Sequence, residues 1–384
     1  MTYYFARTAA TALLTFAVAS SAQAQLVISA NDGKAVLVNG VNTVPSPPTP
    51  DTVTILDASV TPPRIVSELP VPNSVVGPPQ NVAISPDGSI AVVTSSTKLD
   101  PANSSRTVND DVVTVIDLRA KPAAVLATHR AGVMASGASF SPDGRLLLVA
   151  NRGDGTISVF TVSGQTLTPA GRVDLGAPAS GPSHVVFTPD GRRALVTRNN
   201  DHLVSVLTID GTSVTPAGQD IVAGLKPYAI EITPDGRLAL TGNTGSGSTG
   251  SVDTVAVIDL TLDVPRTVDY VTVGTVPESL AISPDGRYVA VTVMNGTNAV
   301  PGTPIYNSFG RLRVFAIGDR TLTPVTEARI GQWCQGVAWT SNTTVLAQCM
   351  TEQELQAFRF DGKTLTPAGA VKVTSAPAGI GVRR

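Results

Sequence analysis

The chain has 384 residues, 42% of them hydrophobic and 15% charged, with a formal net charge of −2. That is enough apolar chain for a substantial buried core. There is no basic stripe and aromatic residues make up only 4%, which excludes a surface built on phosphate contacts and base stacking.

Residues 1–24 read as a signal peptide. Arg7 gives a positive start, Ala9 to Ala19 is a short apolar run, and Ala22-Gln23-Ala24 is a small-x-small cleavage site. The apolar run falls short of the ~20 residues a membrane-spanning helix needs. The expectation is therefore an exported chain, periplasmic or secreted, that begins at Gln25.

From residue 25 onward one local pattern recurs. Ser or Thr followed by Pro-Asp-Gly stands at 85, 141, 188, 233 and 283, each time between two short apolar runs. Pro presets φ, Asp fits the next turn position, and Gly accepts the left-handed conformation that folds the second run back on the first. The turn aspartates Asp87, Asp143, Asp190, Asp235 and Asp285 are spaced by 56, 47, 45 and 50 residues, close to the length of a propeller blade. A sixth, degenerate copy is Thr340-Ser341-Asn342-Thr343.

Each unit then continues with a polar loop, a third alternating run such as Thr156 to Val162, and a fourth such as Leu167 to Val173. Four strands make a blade. Leu-Thr-Pro or Val-Thr-Pro recurs in the fourth run at 167, 214, 322 and 365, and Pro suits an outer edge strand.

The ends complete the count. Pro377 to Val382 looks like a first strand with nothing after it, while Val53 to Asp57 and Arg64 to Val66 look like a blade lacking its first strand. Pairing the two gives a seventh blade and leaves no open sheet edge. Either Leu26 to Ser29 or Ala35 to Val38 can be the strand that pairs with the C-terminal one. The fold class expected is all-β, a single seven-bladed β-propeller over residues 25–384, made of four-stranded antiparallel blades. Four connections, Asn39 to Asp51, Ser96 to Asp110, Asn243 to Asp253 and Asn295 to Gly310, are long and rich in polar and small residues. They should form a rim or lid over one mouth of the channel, on the face where the first strands begin.

Val149-Ala150-Asn151-Arg152-Gly153-Asp154-Gly155-Thr156-Ile157-Ser158-Val159 is similar to the "YVTN" repeat of bacterial and archaeal seven-bladed propellers. With the Pro-Asp-Gly turns, the chain from Gln25 onward resembles the exported propellers grouped with the lactonase-like, 6-phosphogluconolactonase-type family. Trp-Asp dipeptides, the mark of another large propeller class, are absent. The resemblance implies a seven-bladed ring, export, and a site for a sugar lactone or related small molecule. It carries over no catalytic residue.

The five turn aspartates belong to turn geometry and not to acid/base chemistry. What remains should line the loop-rich mouth. A hydrolase could use His184 or Glu278 as general base on water, with Arg152 or Arg198 stabilising the oxyanion. Gln80, Asn151, Tyr228, Asn243, Asn295, Gln335 and Gln348 are the candidate ligand-binding residues there. The same set equally describes a polar mouth that binds without reacting. Two functions therefore stay open: a binding or scaffold propeller holding a small molecule or protein partner, and a lactonase-like hydrolase of a sugar lactone or related cyclic ester. Scarcity of acid/base groups favours the first and the family resemblance the second. Clustering of His184 or Glu278 with Arg152 or Arg198 would favour the enzyme.

Cys334 and Cys349 are placed symmetrically about Ser341-Asn342, so they should face each other across the sixth hairpin and form a disulfide in an oxidising compartment. No metal-ligand spacing such as His-x-His or Cys-x-x-Cys occurs, and no cofactor is expected. Gly245-Ser246-Gly247-Ser248-Thr249-Gly250 matches a dinucleotide fingerprint in spacing only, because it joins two strands and opens no helix.

Overall fold

The Pro-Asp-Gly turns close as the sequence predicts. In a computed structural model that describes residue 1, residues 25–247 and residues 249–383, the Asp143 carboxylate accepts the Ser141 hydroxyl at 2.6 Å and the Arg145 N–H at 3.0 Å. Gly144 takes the left-handed conformation (φ 71°). Asp87, Asp190, Asp235 and Asp285 each take the preceding Ser or Thr hydroxyl in the same way. The expected signal peptide, residues 1–24, lies outside the described residues except for residue 1.

Seven four-stranded antiparallel sheets follow one another, forming a seven-bladed β-propeller. Both faces of each blade pack on a neighbour, which explains why the second strands read as unbroken apolar runs. In Leu146–Asn151, Leu147 and Val149 pack with Val92, Val113 and Val115 of blade 2, while Leu146, Leu148 and Ala150 pack with Val185, Phe187 and Val196 of blade 4. Each such Leu is at most 2% exposed, and its burial contributes roughly 1.5–3 kcal/mol. Buried threonines of the second strands add a polar link from blade to blade. The Thr197 hydroxyl donates to the Tyr228 carbonyl at 2.7 Å and the Thr292 hydroxyl to the Gln335 carbonyl at 2.6 Å.

The ring closes through blade 1. Ala376–Val382 is its inner strand and pairs with Leu26–Asp32, which pairs in turn with Thr52–Asp57 and that with Arg64–Pro70. Of the two closing strands the sequence allows, Leu26–Asp32 is the one used. Val36–Val38 pairs instead with Val41–Thr43 in a separate hairpin, turned by Asn39 and Gly40, both at positive φ. Gln348 adds a polar staple across the seam, donating to Ser29 Oγ at 2.7 Å and the Gly379 carbonyl at 2.8 Å.

Three of the four long connections differ from open loops. Residues 96–110 form a ribbon, because strands Ile90–Asp100 and Asn103–Asp117 run on past the blade and pair along their length. Lys98–Asp110 and Arg106–Asp100 ion pairs clasp its two sides. Residues 33–50 of blade 1 and 294–309 of blade 6 meet at Gly40, where a side chain would strike the Ala299 backbone. Between them lies Trp333, whose backbone N–H donates to Thr297 Oγ1 at 3.0 Å. Among the described residues no helix is long and apolar enough to cross a membrane.

Cys334 pairs directly with Cys349 and the two form a disulfide, Cα–Cα 3.9 Å. The hairpin between them turns at Asn342-Thr343, one residue beyond the expected centre, since Ser341 opposes Thr344. Register shifts near both ends of the hairpin restore the alignment of the cysteines.

Candidate functional site

The inner strands of blades 3 to 7 open at Ala135, Pro182, Pro227, Pro277 and Cys334, each opposite the last residue of its second strand. One residue further along stand Ser136, Ser183, Tyr228, Glu278 and Gln335. Gln80 holds the same level in blade 2, two residues before Val82 just as Ser136 stands two before Ala138. The propeller repeat therefore sets a ring of polar side chains around the loop-rich end of the channel.

Glu278 is 9% exposed, and one of its oxygens, Oε2, is buried without a hydrogen-bond partner among the described residues. Burial raises its carboxyl and the Arg152 charge lowers it; burial prevails and the pKa is pushed up to about 7. Arg152, one residue past the second strand of blade 3, reaches over blade 4 to blade 5. Its Nη1 donates to Ser183 Oγ at 2.5 Å, and its guanidinium lies 5.4 Å from the Tyr228 ring centre. Ser183 Oγ in turn donates to the Gly181 carbonyl at 3.0 Å. Burial also raises the Tyr228 hydroxyl, with the Arg152 charge lowering it, the Glu278 charge raising it, and the Gly77 N–H, which it accepts, lowering it. That hydroxyl stays protonated at neutral pH. Arg152 and Tyr228 are half-buried, so the group remains accessible.

The ring holds further acceptors. Gln80 Nε2 donates to Ser279 Oγ at 2.8 Å, a bond that crosses the channel from blade 2 to blade 6. Gln80 Oε1, Ser136 Oγ and Gln335 Oε1 are buried and have no partner among the described residues. Buried polar atoms are nearly always paired in folded proteins, so this concentration at one level of the channel marks a place built to meet a polar molecule.

The other candidates fall elsewhere. Arg198 is held by Asp201 and by Asp220 at 2.8 Å, which neutralises it away from Glu278. Asn151 spends all its groups inside blade 3, on Thr156 Oγ1 (2.8 Å), Ser158 Oγ (3.0 Å) and the Gly132 N–H (3.0 Å). Asn243 donates to Thr254 Oγ1 at 3.0 Å, Asn295 donates to the Phe309 carbonyl at 3.0 Å within its own loop, and Gln348 serves the closing seam. Cys334 and Cys349, with Glu352, are the group near enough to share a metal ion among the described residues, but the sulfurs are joined and both Glu352 oxygens accept the Gln332 N–H at 3.0 Å.

His184 lies deeper, on the wall of the channel. Its Nδ1 accepts the Ile230 N–H at 3.3 Å, and Gly137 makes room for it, since a side chain there would strike His184 Cα and Cδ2. Beside it a cavity of about 730 Å³ opens towards the Pro-Asp-Gly face. Glu231 lines this cavity too. Ile230-Glu231-Ile232 reads in the sequence as ordinary alternation, which hides Glu231; in the fold, consecutive inner-strand residues such as Glu231 and Ile232 both line the cavity.

A family model described as lactonase, seven-bladed beta-propeller, matches residues 115–301, and the chain is similar to that family. Among solved structures, a candidate 6-phosphogluconolactonase from Bacteroides uniformis is 17% identical with TM-score 0.71, covering 94% of this chain and 100% of that one. A periplasmic gluconolactonase from Pseudomonas aeruginosa is 16% identical with TM-score 0.66, covering 94% and 99%. A functionally unknown protein from Desulfotomaculum acetoxidans is 16% identical with TM-score 0.69, covering 93% and 98%. At such identities the likeness is one of fold. No curated protein matches the chain.

Proposed function

We propose that this lactonase-like seven-bladed propeller hydrolyses a small cyclic ester at the loop-rich end of its channel. The observation that carries the reading is the grouping of Glu278 with Arg152 and Tyr228. A carboxyl raised towards neutrality beside a fixed cation is what a water-activating site needs. Glu278 takes a proton from water as its oxygen adds to the lactone carbonyl. Arg152 and the Tyr228 hydroxyl stabilise the negative charge that develops on the carbonyl oxygen. The ring C–O bond then breaks, the proton passes to the leaving ring oxygen, and a hydroxy acid departs. Gln80 and Gln335 orient the substrate through their free amide oxygens, which suit hydroxyl donors on a sugar lactone.

The test is a pH-stat assay with glucono-δ-lactone, δ-valerolactone and γ-butyrolactone. Turnover by the native chain that falls about 10²- to 10⁴-fold in Glu278→Gln, with Asp143→Asn unchanged, is the expected result. Absence of turnover on every lactone, or a Glu278→Gln variant as fast as native, overturns it.

Export belongs to the same reading. The disulfide and the periplasmic location in the name of the Pseudomonas structure support it. N-terminal sequencing of the mature protein should read from Gln25; a cytoplasmic chain that retains residues 1–24 would contradict it.

A further inference from the structure

A buried ion cluster in blade 1 takes no part in the proposed hydrolysis. Lys34, 5% exposed, pairs with Asp32 at 3.0 Å and with Asp51 at 2.9 Å. Charges taken this far from water carry a desolvation cost that pairing alone often fails to offset, so their other bonds are informative. Those bonds run to residues 71–79, the strap that carries the chain from blade 1 to blade 2. Lys34 Nζ donates to the Asn73 carbonyl, Asp51 accepts the Asn73 N–H at 3.2 Å, and Asp32 accepts the Val75 N–H at 2.8 Å. Asn73 Nδ2 adds bonds to the Asn31 and Thr52 carbonyls at 3.0 and 3.2 Å. At the far end of the strap the Pro79 carbonyl accepts the Ile380 N–H at 2.9 Å.

So anchored, the strap brings Gly77 against blade 3 and blade 5. A side-chain carbon at Gly77 would lie 2.5 Å from Ser136 Oγ and 3.8 Å from Arg152 Cδ, and the Gly77 N–H donates to the Tyr228 hydroxyl. Its φ of 118° is one that residues with a side chain rarely adopt. Close approach and backbone conformation both call for glycine. A phenol hydroxyl has one proton to give. The Tyr228 oxygen already accepts from Gly77 and the Arg152 guanidinium lies against the ring, so that proton is left as a donor. Accepting one hydrogen bond also strengthens the one a hydroxyl donates.

We propose that Gly77 is a positioning residue: its N–H, held in place by the strap, fixes the Tyr228 hydroxyl so that its proton meets the charge developing on the carbonyl oxygen. The inference rests on the hydrolase reading for what Tyr228 does, and on the strap for what holds it. Gly77 touches no reacting atom and acts through Tyr228. The ion cluster under the strap is then the footing of the site, which accounts for charges buried outside the Glu278 group.

A double-mutant cycle on the full chain tests this, using the lactone that the native chain turns over fastest. Tyr228→Phe should lower kcat by about 10²-fold or more. Gly77→Ala, which displaces the N–H, should lower kcat and kcat/KM alike by about tenfold and leave KM within about twofold. In the Tyr228→Phe background the same change should cost less than about twofold, because no hydroxyl is left to hold. Full additivity, or a loss in Gly77→Ala that falls on KM alone, overturns the proposal. Hydrogen exchange of residues 71–80 is a readout that needs no substrate. In Tyr228→Phe this segment should take up about one deuteron more at early times, from the Gly77 amide. Unchanged exchange overturns the proposal, even where Gly77→Ala does not fold. Absence of turnover on every lactone removes the hydrolase reading, and exchange then decides by itself whether Gly77 holds Tyr228.

Discussion

At Glu278 the burial that raises the carboxyl outweighs the Arg152 cation that lowers it, leaving it near 7, and this dictates two pH responses. For the proposed hydrolysis the working form is the carboxylate, so kcat/KM should climb with pH through about 7 and level off above it. Removing the cation with Arg152→Met should push that rise to higher pH while slowing the plateau rate. For stability the sign is opposite. Unfolded, the group ionises near its ordinary value of 4.5; between there and about 7 the folded chain holds a proton the unfolded one has lost. The contribution is full below 4.5 and declines as pH rises through the folded value, by on the order of 3 kcal/mol. Urea unfolding across pH 4.5–8 should show that decline in the native chain and its loss in Glu278→Gln; parallel curves would refute it. Glu278 and Arg152 were legible as candidates because each flanks a strand at the loop-rich end. Their meeting was not, because it depends on how far Arg152 reaches across blade 4. Arg198 looked equivalent in sequence, yet Asp201 and Asp220 claim it.

The hairpin Cys334–Ser341 and Thr344–Cys349 lacks the Pro-Asp-Gly turn that sets its counterparts. Its disulfide spans 15 residues of chain, and closing such a loop stabilises by roughly 3 kcal/mol. Cys334→Ser with Cys349→Ser should lower unfolding free energy by about 2–4 kcal/mol, read by urea titration; an unchanged midpoint would show the bond to be idle. The pairing of the cysteines could be read from their symmetry about the turn, but the turn itself could not be placed, because bulges shift register without leaving a mark in residue type. The ribbon at 96–110 reads as a loop in the sequence for a related reason. Its Ser, Thr, Asn and charged residues are polar on both faces, as a strand pair standing clear of the core must be, and polarity without alternation reads as a loop.

The ring as a whole was the most legible level, since five copies of one turn at blade-length spacing admit few other folds. What the repeat could not reveal is where the channel is open. Loops 33–50 and 294–309 meet over blade 7, whereas the Pro-Asp-Gly face leads into the cavity. Ring closure through Ala376–Val382 makes every blade depend on one strand, so removing residues 376–384 should leave two edges exposed. The truncated chain should lose cooperative thermal unfolding and elute as aggregates in gel filtration, while a monomer with native melting would contradict the dependence.

The antiparallel clasp also fixes how the molecule answers to mechanical load. Val27 lies against Val382 at its outer end and Asp32 against Ala376 at its inner end, so tension drawing the chain before Leu26 away from the chain after Val382 falls on one pair of residues at a time. The seam peels like a zip instead of shearing all at once. The ring therefore has a direction along which small forces suffice to open it, while pulling through any other blade meets a closed hoop.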